Sequence, residues 1–112
     1  MTNVYITDLS VFLPNDPINN DEMEDVLGYI GGKPSRAKKI ILKSNGIKTR
    51  HYAIDKNTKK LTCNNAELTA KAVEGVLKGR KTDILSCGTS TPDQLMPGHA
   101  LMVQGESGLS GI

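Results

Sequence analysis

The sequence has no tryptophan, one phenylalanine and three tyrosines, so aromatic side chains make up only 4% of it. That poverty, with no known nucleic-acid-binding motif present, weighs against nucleic acid as a partner. Two cysteines, Cys63 and Cys87, fit neither a disulfide scaffold nor a CxxC metal pair. Both are expected to stay reduced, in a cytoplasm. No apolar run approaches the roughly 20 residues a membrane span needs. The opening Met1-Thr2-Asn3-Val4-Tyr5 lacks the basic stretch of a secretory signal. A P-loop, a GxGxxG turn and a GxSxG elbow around Ser86 or Ser90 are also missing. His51 and His99 stand isolated, with no carboxylate cluster to complete a metal site, and no metal is expected.

What the sequence does contain is ordinary in amount and unusual in arrangement. A chain of 112 residues with 38% hydrophobic and 23% charged content suits one soluble domain with a modest core. Its net charge of +2 hides a segregation. Residues 1–32 hold Asp8, Asp16, Asp21, Glu22, Glu24 and Asp25 and no base. Residues 33–50 hold Lys33, Arg36, Lys38, Lys39, Lys43, Lys48 and Arg50 and no acid. With no acidic partner inside the block, its potential would steer an anionic ligand. Arg36 and Arg50 are suited to bidentate phosphate contact. The bland alternative is a solvated helix face.

The pattern along the chain is α/β. Val4 to Leu13 reads as a strand, ended by the turn residues Pro14-Asn15-Asp16-Pro17. Asn19 with Glu22 has capping-box spacing and opens a first helix, with Met23, Val26, Leu27 and Ile30 on one face and Gly31-Gly32 as its stop. A second, basic helix is expected from Ser35 to Asn45-Gly46, then an extended stretch from Ile47 to Ile54 and a polar loop over 55–60. Asn64 with Glu67 opens a third helix, whose alanines at 66, 70 and 72 would allow close approach to a sheet. A strand at Ile84–Cys87 leads into Gly88-Thr89-Ser90-Thr91-Pro92-Asp93 and on to Met96-Pro97, and a last helix covers about Gly98 to Gln104. No internal boundary is visible between residues 1 and 112. Two or three strands are few for a self-sufficient sheet, so the segment reads as the opening part of a larger domain.

Cys87 paired with His99 or His51 is the nucleophile–base combination the residues offer. The competing reading is a small buried residue at a strand end. Cys63, beside a helix N-terminus, is a second thiol whose acidity that position could raise; the competing and favoured reading is an unremarkable residue flanking the cap.

Taken in order, these residues resemble the N-terminal part of a β-ketoacyl-acyl carrier protein synthase III, a thiolase-fold condensing enzyme. An opening strand leads to Leu13-Pro14, and Asn20 precedes an acidic amphipathic helix. Asn45-Gly46-Ile47-Lys48-Thr49-Arg50 resembles the family's T-G-I-x-x-R, and Thr62 precedes an Ala-rich helix. Thr89-Ser90-Thr91-Pro92-Asp93 running to Pro97 resembles its T-S-T-P-D…P loop.

The resemblance implies an α/β, thiolase-like fold that is incomplete in this chain. It also implies a homodimeric cytoplasmic acyltransferase that condenses an acyl thioester with malonyl-carrier protein in fatty-acid or polyketide-type synthesis. No cofactor is expected beyond the phosphopantetheine or coenzyme A that bears the substrate. The family's catalytic Cys, His and Asn fall outside this sequence, so no catalytic residue is assigned here, and Cys87 lies one strand too early. By the resemblance, Arg36, Lys39, Lys43 and Arg50 are candidates for contact with acyl carrier protein or its phosphopantetheine. The family's adenine-stacking Trp and neighbouring Arg fall near Ile40 and Ser44, which favours a carrier-bound donor over coenzyme A. Met96 takes the place that reaches the partner subunit's acyl pocket. A function from another class, a small basic module that binds an anionic protein or nucleic acid, accounts for the same charge block.

Overall fold

A computed structural model describes residues 2–111; Met1 and Ile112, the ends of the expected segment, lie outside the described residues. Its regular elements are few. They are β1 (Ile18–Asn19), α1 (Met23–Leu27), α2 (Lys38–Asn45), β2 (Thr49–Arg50), α3 (Asn65–Leu77) and α4 (His99–Glu106). The described residues form two compact units. One is Pro14–Cys63, and the other is drawn from Met1–Leu13 and Asn64–Ile112.

In the unit Pro14–Cys63, β1 and β2 pair antiparallel, with Ile18 opposite Arg50 and Asn19 opposite Thr49. Ile18, Val26 and Cys63 are its buried apolar residues. The hydrogen bonds expected at Asn19 form, its side-chain oxygen accepting from the N–H groups of Asp21 (2.9 Å) and Glu22 (3.0 Å), but they close a turn over 20–22: α1 starts only at Met23, with Glu22 at its cap position and no side-chain cap. The Glu22 carboxylate accepts in return from the Asn19 N–H at 3.3 Å. The helix that follows is only five residues long. It ends at Gly28, whose φ of 87° is closed to a helix, and not at Gly31-Gly32. Ile30, expected on the apolar face, is therefore off the helix and 90% exposed. Gly46 ends α2 in the left-handed region, as its position after Asn45 implied. Asn15, also left-handed at φ 54°, sends its amide to the carbonyls of Tyr52 and Ile54 and to the Thr62 hydroxyl. Asparagine tolerates that backbone better than most residues, so one turn residue ties three positions of the unit together. The polar loop is a closed turn in which Asp55 accepts from the N–H groups of Asn57 and Thr58.

In the other unit, α3 packs against α4. Ala66, Ala70 and Val103 form the buried cluster, flanked by Val73, Leu85, Cys87 and Met102. The alanines permit a close approach, but to a helix and not to a sheet. The strands expected at Val4–Leu13 and Ile84–Cys87 do not form among the described residues. A strand exists only through ladder hydrogen bonds to a neighbour, and neither segment has a described strand beside it.

Residues 8–12 still keep the period of two. The Asp8 carboxylate meets the Lys78 ammonium (3.2 Å) and the Arg80 guanidinium (2.8 Å), Ser10 lies over Gly75, and the Phe12 ring sits 4.8 Å from the Lys71 ammonium. Leu9 and Val11, between them, are exposed. From Lys78 to Lys71 the helix rises about 10 Å.

Candidate functional site

The basic block places three of its predicted residues together. A groove of about 730 Å³ in the unit Pro14–Cys63 is lined by Asn20, Asp21, Glu24, Arg36, Lys39 and Lys43, with Lys38 also in its wall. Lys39 and Lys43 share one side of α2 because they are four residues apart, and Arg36 joins them from the turn before the helix, which starts at Lys38 and not at the expected Ser35. Two cations, Lys38 and Lys39, stand in the first turn of α2, where no acidic residue is present. The helix macrodipole is positive at that end, so cations there cost stability and add to the local positive potential.

The acidic block answers only part of this charge. Glu24 forms an ion pair with Lys38 at 3.0 Å, and its other oxygen accepts from the Ser35 N–H at 2.7 Å. The Ser35 N–H and then the Lys38 ammonium hold the Glu24 carboxyl below the usual range. Glu22 pairs with Lys56, which together with the Asn19 N–H lowers its carboxyl likewise. Arg36, Lys39 and Lys43 form no ion pair among the described residues and are exposed. Sequence adjacency could not show this sorting, because the partner acids lie 14 and 34 residues away.

Arg50 behaves differently. Its guanidinium donates to the Ile18 carbonyl (3.4 Å) and to the Asn20 side-chain oxygen, across the β1–β2 pair. It does not line the groove but holds Asn20, which does. The Asn20 and Arg50 matches to the family pattern are thus joined in space, a link invisible in their separate motifs.

The Cys87 reading finds no hydrogen-bonded base among the described residues. The Nδ1 of His51 lies 3.2 Å from the Pro14 carbonyl and 3.1 Å from that of Asn15. Two acceptors require that nitrogen to carry the proton. The Nε2 of His99 lies 3.1 Å from the Thr69 hydroxyl, which itself donates to the Asn65 carbonyl at 3.0 Å. Neither histidine is hydrogen-bonded to Cys87, and burial pushes the Cys87 thiol up, away from the reactive thiolate.

The Thr89–Pro97 loop is tied to the start of α3. Asn64 and Glu67 form the expected capping box, each contact at 2.8 Å. That box satisfies the N–H groups of Asn64 and Glu67 and leaves those of Asn65 and Ala66 without a helical partner. Asp93 takes both, at 2.8 Å each. In the other direction the Asn65 amide donates to the Thr89 hydroxyl (3.2 Å) and to the Thr91 carbonyl. Sequence reading missed Asp93 and Asn65. The signal was there, since a capping box always leaves two donors over. Met96 is 83% exposed beyond this anchor.

No family model matches the chain. Curated relatives do, and they are β-ketoacyl synthases. The β-ketoacyl-[acyl-carrier-protein] synthase III of Bordetella petrii is 32% identical over 111 residues, covering 99% of this chain and 33% of that protein. The protein of the same name from Lactococcus lactis is 28% identical over 108 residues, covering 96% of this chain and 30% of its own length. The β-ketoacyl-[acyl-carrier-protein] synthase III 1 of Lactiplantibacillus plantarum is 30% identical over 108 residues, with 96% and 31% covered. The resemblance to the N-terminal part of a β-ketoacyl-acyl carrier protein synthase III therefore holds along nearly the whole chain. The chain spans about a third of the length of the curated relatives it matches.

Proposed function

We propose that this chain is the N-terminal part of a β-ketoacyl-acyl carrier protein synthase III-like acyltransferase of thiolase fold. The intact protein acts as a cytoplasmic homodimer and condenses an acyl thioester with malonyl-carrier protein in fatty-acid or polyketide-type synthesis. The observation that carries this reading is the similarity to β-ketoacyl-[acyl-carrier-protein] synthases III over 96% to 99% of the chain. Catalysis then belongs to a Cys, His and Asn outside the present residues. The Cys thiolate takes the acyl group from its thioester, and loss of carbon dioxide from the malonyl group yields the carbanion that attacks the acyl-enzyme. No helix among the described residues is long and apolar enough to cross a membrane. Neither a metal nor a resident cofactor enters this scheme.

Within that reading the groove of Arg36, Lys39 and Lys43 receives the phosphopantetheine phosphate or the acidic carrier surface, and Arg50 supports it through Asn20. Three exposed contacts of about 0.5 kcal/mol each amount to about 1.5 kcal/mol, or roughly tenfold in affinity. In the complete polypeptide, replacing Arg36, Lys39 and Lys43 together by alanine is expected to raise the KM for the carrier-bound substrate about tenfold with kcat retained. Steady-state kinetics at two salt concentrations checks this, since the loss should shrink as salt rises. An unchanged KM refutes the groove. Salt-steep polyanion binding without acyl transfer favours the basic binding module instead.

A further inference from the structure

The first turn of α3 and the loop after residue 88 are joined at both ends of the loop. At its start, the Asn65 amide holds Thr89 and Thr91, and Asp93 holds the backbone N–H groups of Asn65 and Ala66. At its end, His99, the first residue of α4, reaches the Thr69 hydroxyl one turn further along α3. Because that hydroxyl spends its hydrogen on the Asn65 carbonyl, the His99 Nε2–H is the donor. Between the two ties, Leu95 and Met96 are 88% and 83% exposed. Ties on both sides of these residues limit the space their side chains can sweep.

We propose that Asp93 and Asn65 are positioning residues, which hold the Thr89–Pro97 loop on α3 and so set where Leu95 and Met96 are offered to the acyl chain. What the two side chains meet rests on the acyl-transfer reading above; how they are held does not. The two anchors are separable. Asp93→Asn retains an acceptor for one N–H and turns a donor towards the other, whereas Asn65→Ala leaves both Asp93 bonds intact.

The test follows amide hydrogen exchange at Asn65 and Ala66, with mid-helix Val73 as the internal control, in the wild type, Asp93→Ala, Asp93→Asn and Asn65→Ala. Asp93→Ala should speed both first-turn amides about tenfold or more through loss of charge-assisted bonds, with Val73 unchanged. Asp93→Asn should fall between, and Asn65→Ala should move the Met96 methyl resonance with the Ala66 amide still protected. In the complete polypeptide, Asp93→Ala should lower the discrimination between long and short acyl donors about threefold or more, with kcat for the best donor retained. First-turn amides that exchange as in the wild type overturn the clamp. Faster exchange with unchanged acyl discrimination overturns the positioning role. A wild-type polypeptide without acyl transfer overturns the function above and the acyl half of this proposal, and the Met96 resonance in Asp93→Ala then decides whether the anchors position the loop.

Discussion

Gly75 lies inside α3, two residues before its last helical position, where glycine costs about 1 kcal/mol relative to alanine. Its backbone is not left-handed, so conformation does not require it. Space does. A Cβ on Gly75 would come 3.2 Å from the Ser10 Cβ and closer still to the Ser10 hydroxyl. Rotation of the hydroxyl relieves one contact and leaves the other, because the Cβ moves only with its backbone. Overpacking of this kind costs about 1–3 kcal/mol. The helix gain of about 1 kcal/mol offsets part of that, so Gly75→Ala should destabilise by about 1 kcal/mol. In a Ser10→Gly background the obstacle is gone, and the same substitution should stabilise by about 1 kcal/mol. The coupling between the two sites is therefore about 2 kcal/mol. Urea denaturation of the four proteins, followed by far-ultraviolet circular dichroism, measures it. Equal stabilisation by Gly75→Ala in both backgrounds would refute the docking of residues 8–12 on α3.

Two further outcomes follow from the same elements. The Asp8 carboxyl is held below the ordinary aspartate value of 3.8, first by the Lys78 ammonium, then by the Leu9 N–H, with Arg80 adding to it. A depressed folded value means the tie is fully present above 3.8 and is lost as pH falls through the lower folded value. Exchange protection of the Leu9 N–H, which the Asp8 carboxylate accepts at 2.9 Å, should thus fall as pH drops below 3.8 in the wild type and be pH-insensitive there in Asp8→Asn; identical pH profiles would count against the tie. In the complete polypeptide, Met96→Phe should shift preference towards shorter acyl donors, because a flexible thioether is replaced by a bulky rigid ring. Unchanged chain-length selectivity would remove Met96 from the acyl pocket.

Much of the local structure was legible. The capping box that starts α3, the Gly46 stop and the Asn19–Glu22 hydrogen bonds follow from contacts between residues three or four positions apart. Three of the four basic site residues came together: helical spacing puts Lys39 and Lys43 on one side of α2, and the turn before it brings Arg36 to the same groove. The first helix was read too long, since Ile30 kept the apolar period while Gly28 had already closed the helix. The strands at Val4–Leu13 and Ile84–Cys87 were read from alternation and apolar runs. Such patterns describe a side-chain environment and supply no hydrogen-bonding neighbour.

By itself the sequence determined the order of motifs, the charge segregation and the helix caps, because each is a property of residues within a few positions of one another. Only the tertiary structure decided how the charges sort, through the Glu24–Lys38 and Glu22–Lys56 pairs, with no ion pair to Arg36, Lys39 or Lys43 among the described residues. It decided that Arg50 supports Asn20 and does not face the groove. It also showed that Asp93 completes a helix start 28 residues earlier in the chain. The physical reason is common to all three: a hydrogen-bonding group is satisfied by whatever donor or acceptor the fold brings within about 3 Å, and separation along the chain does not limit that choice.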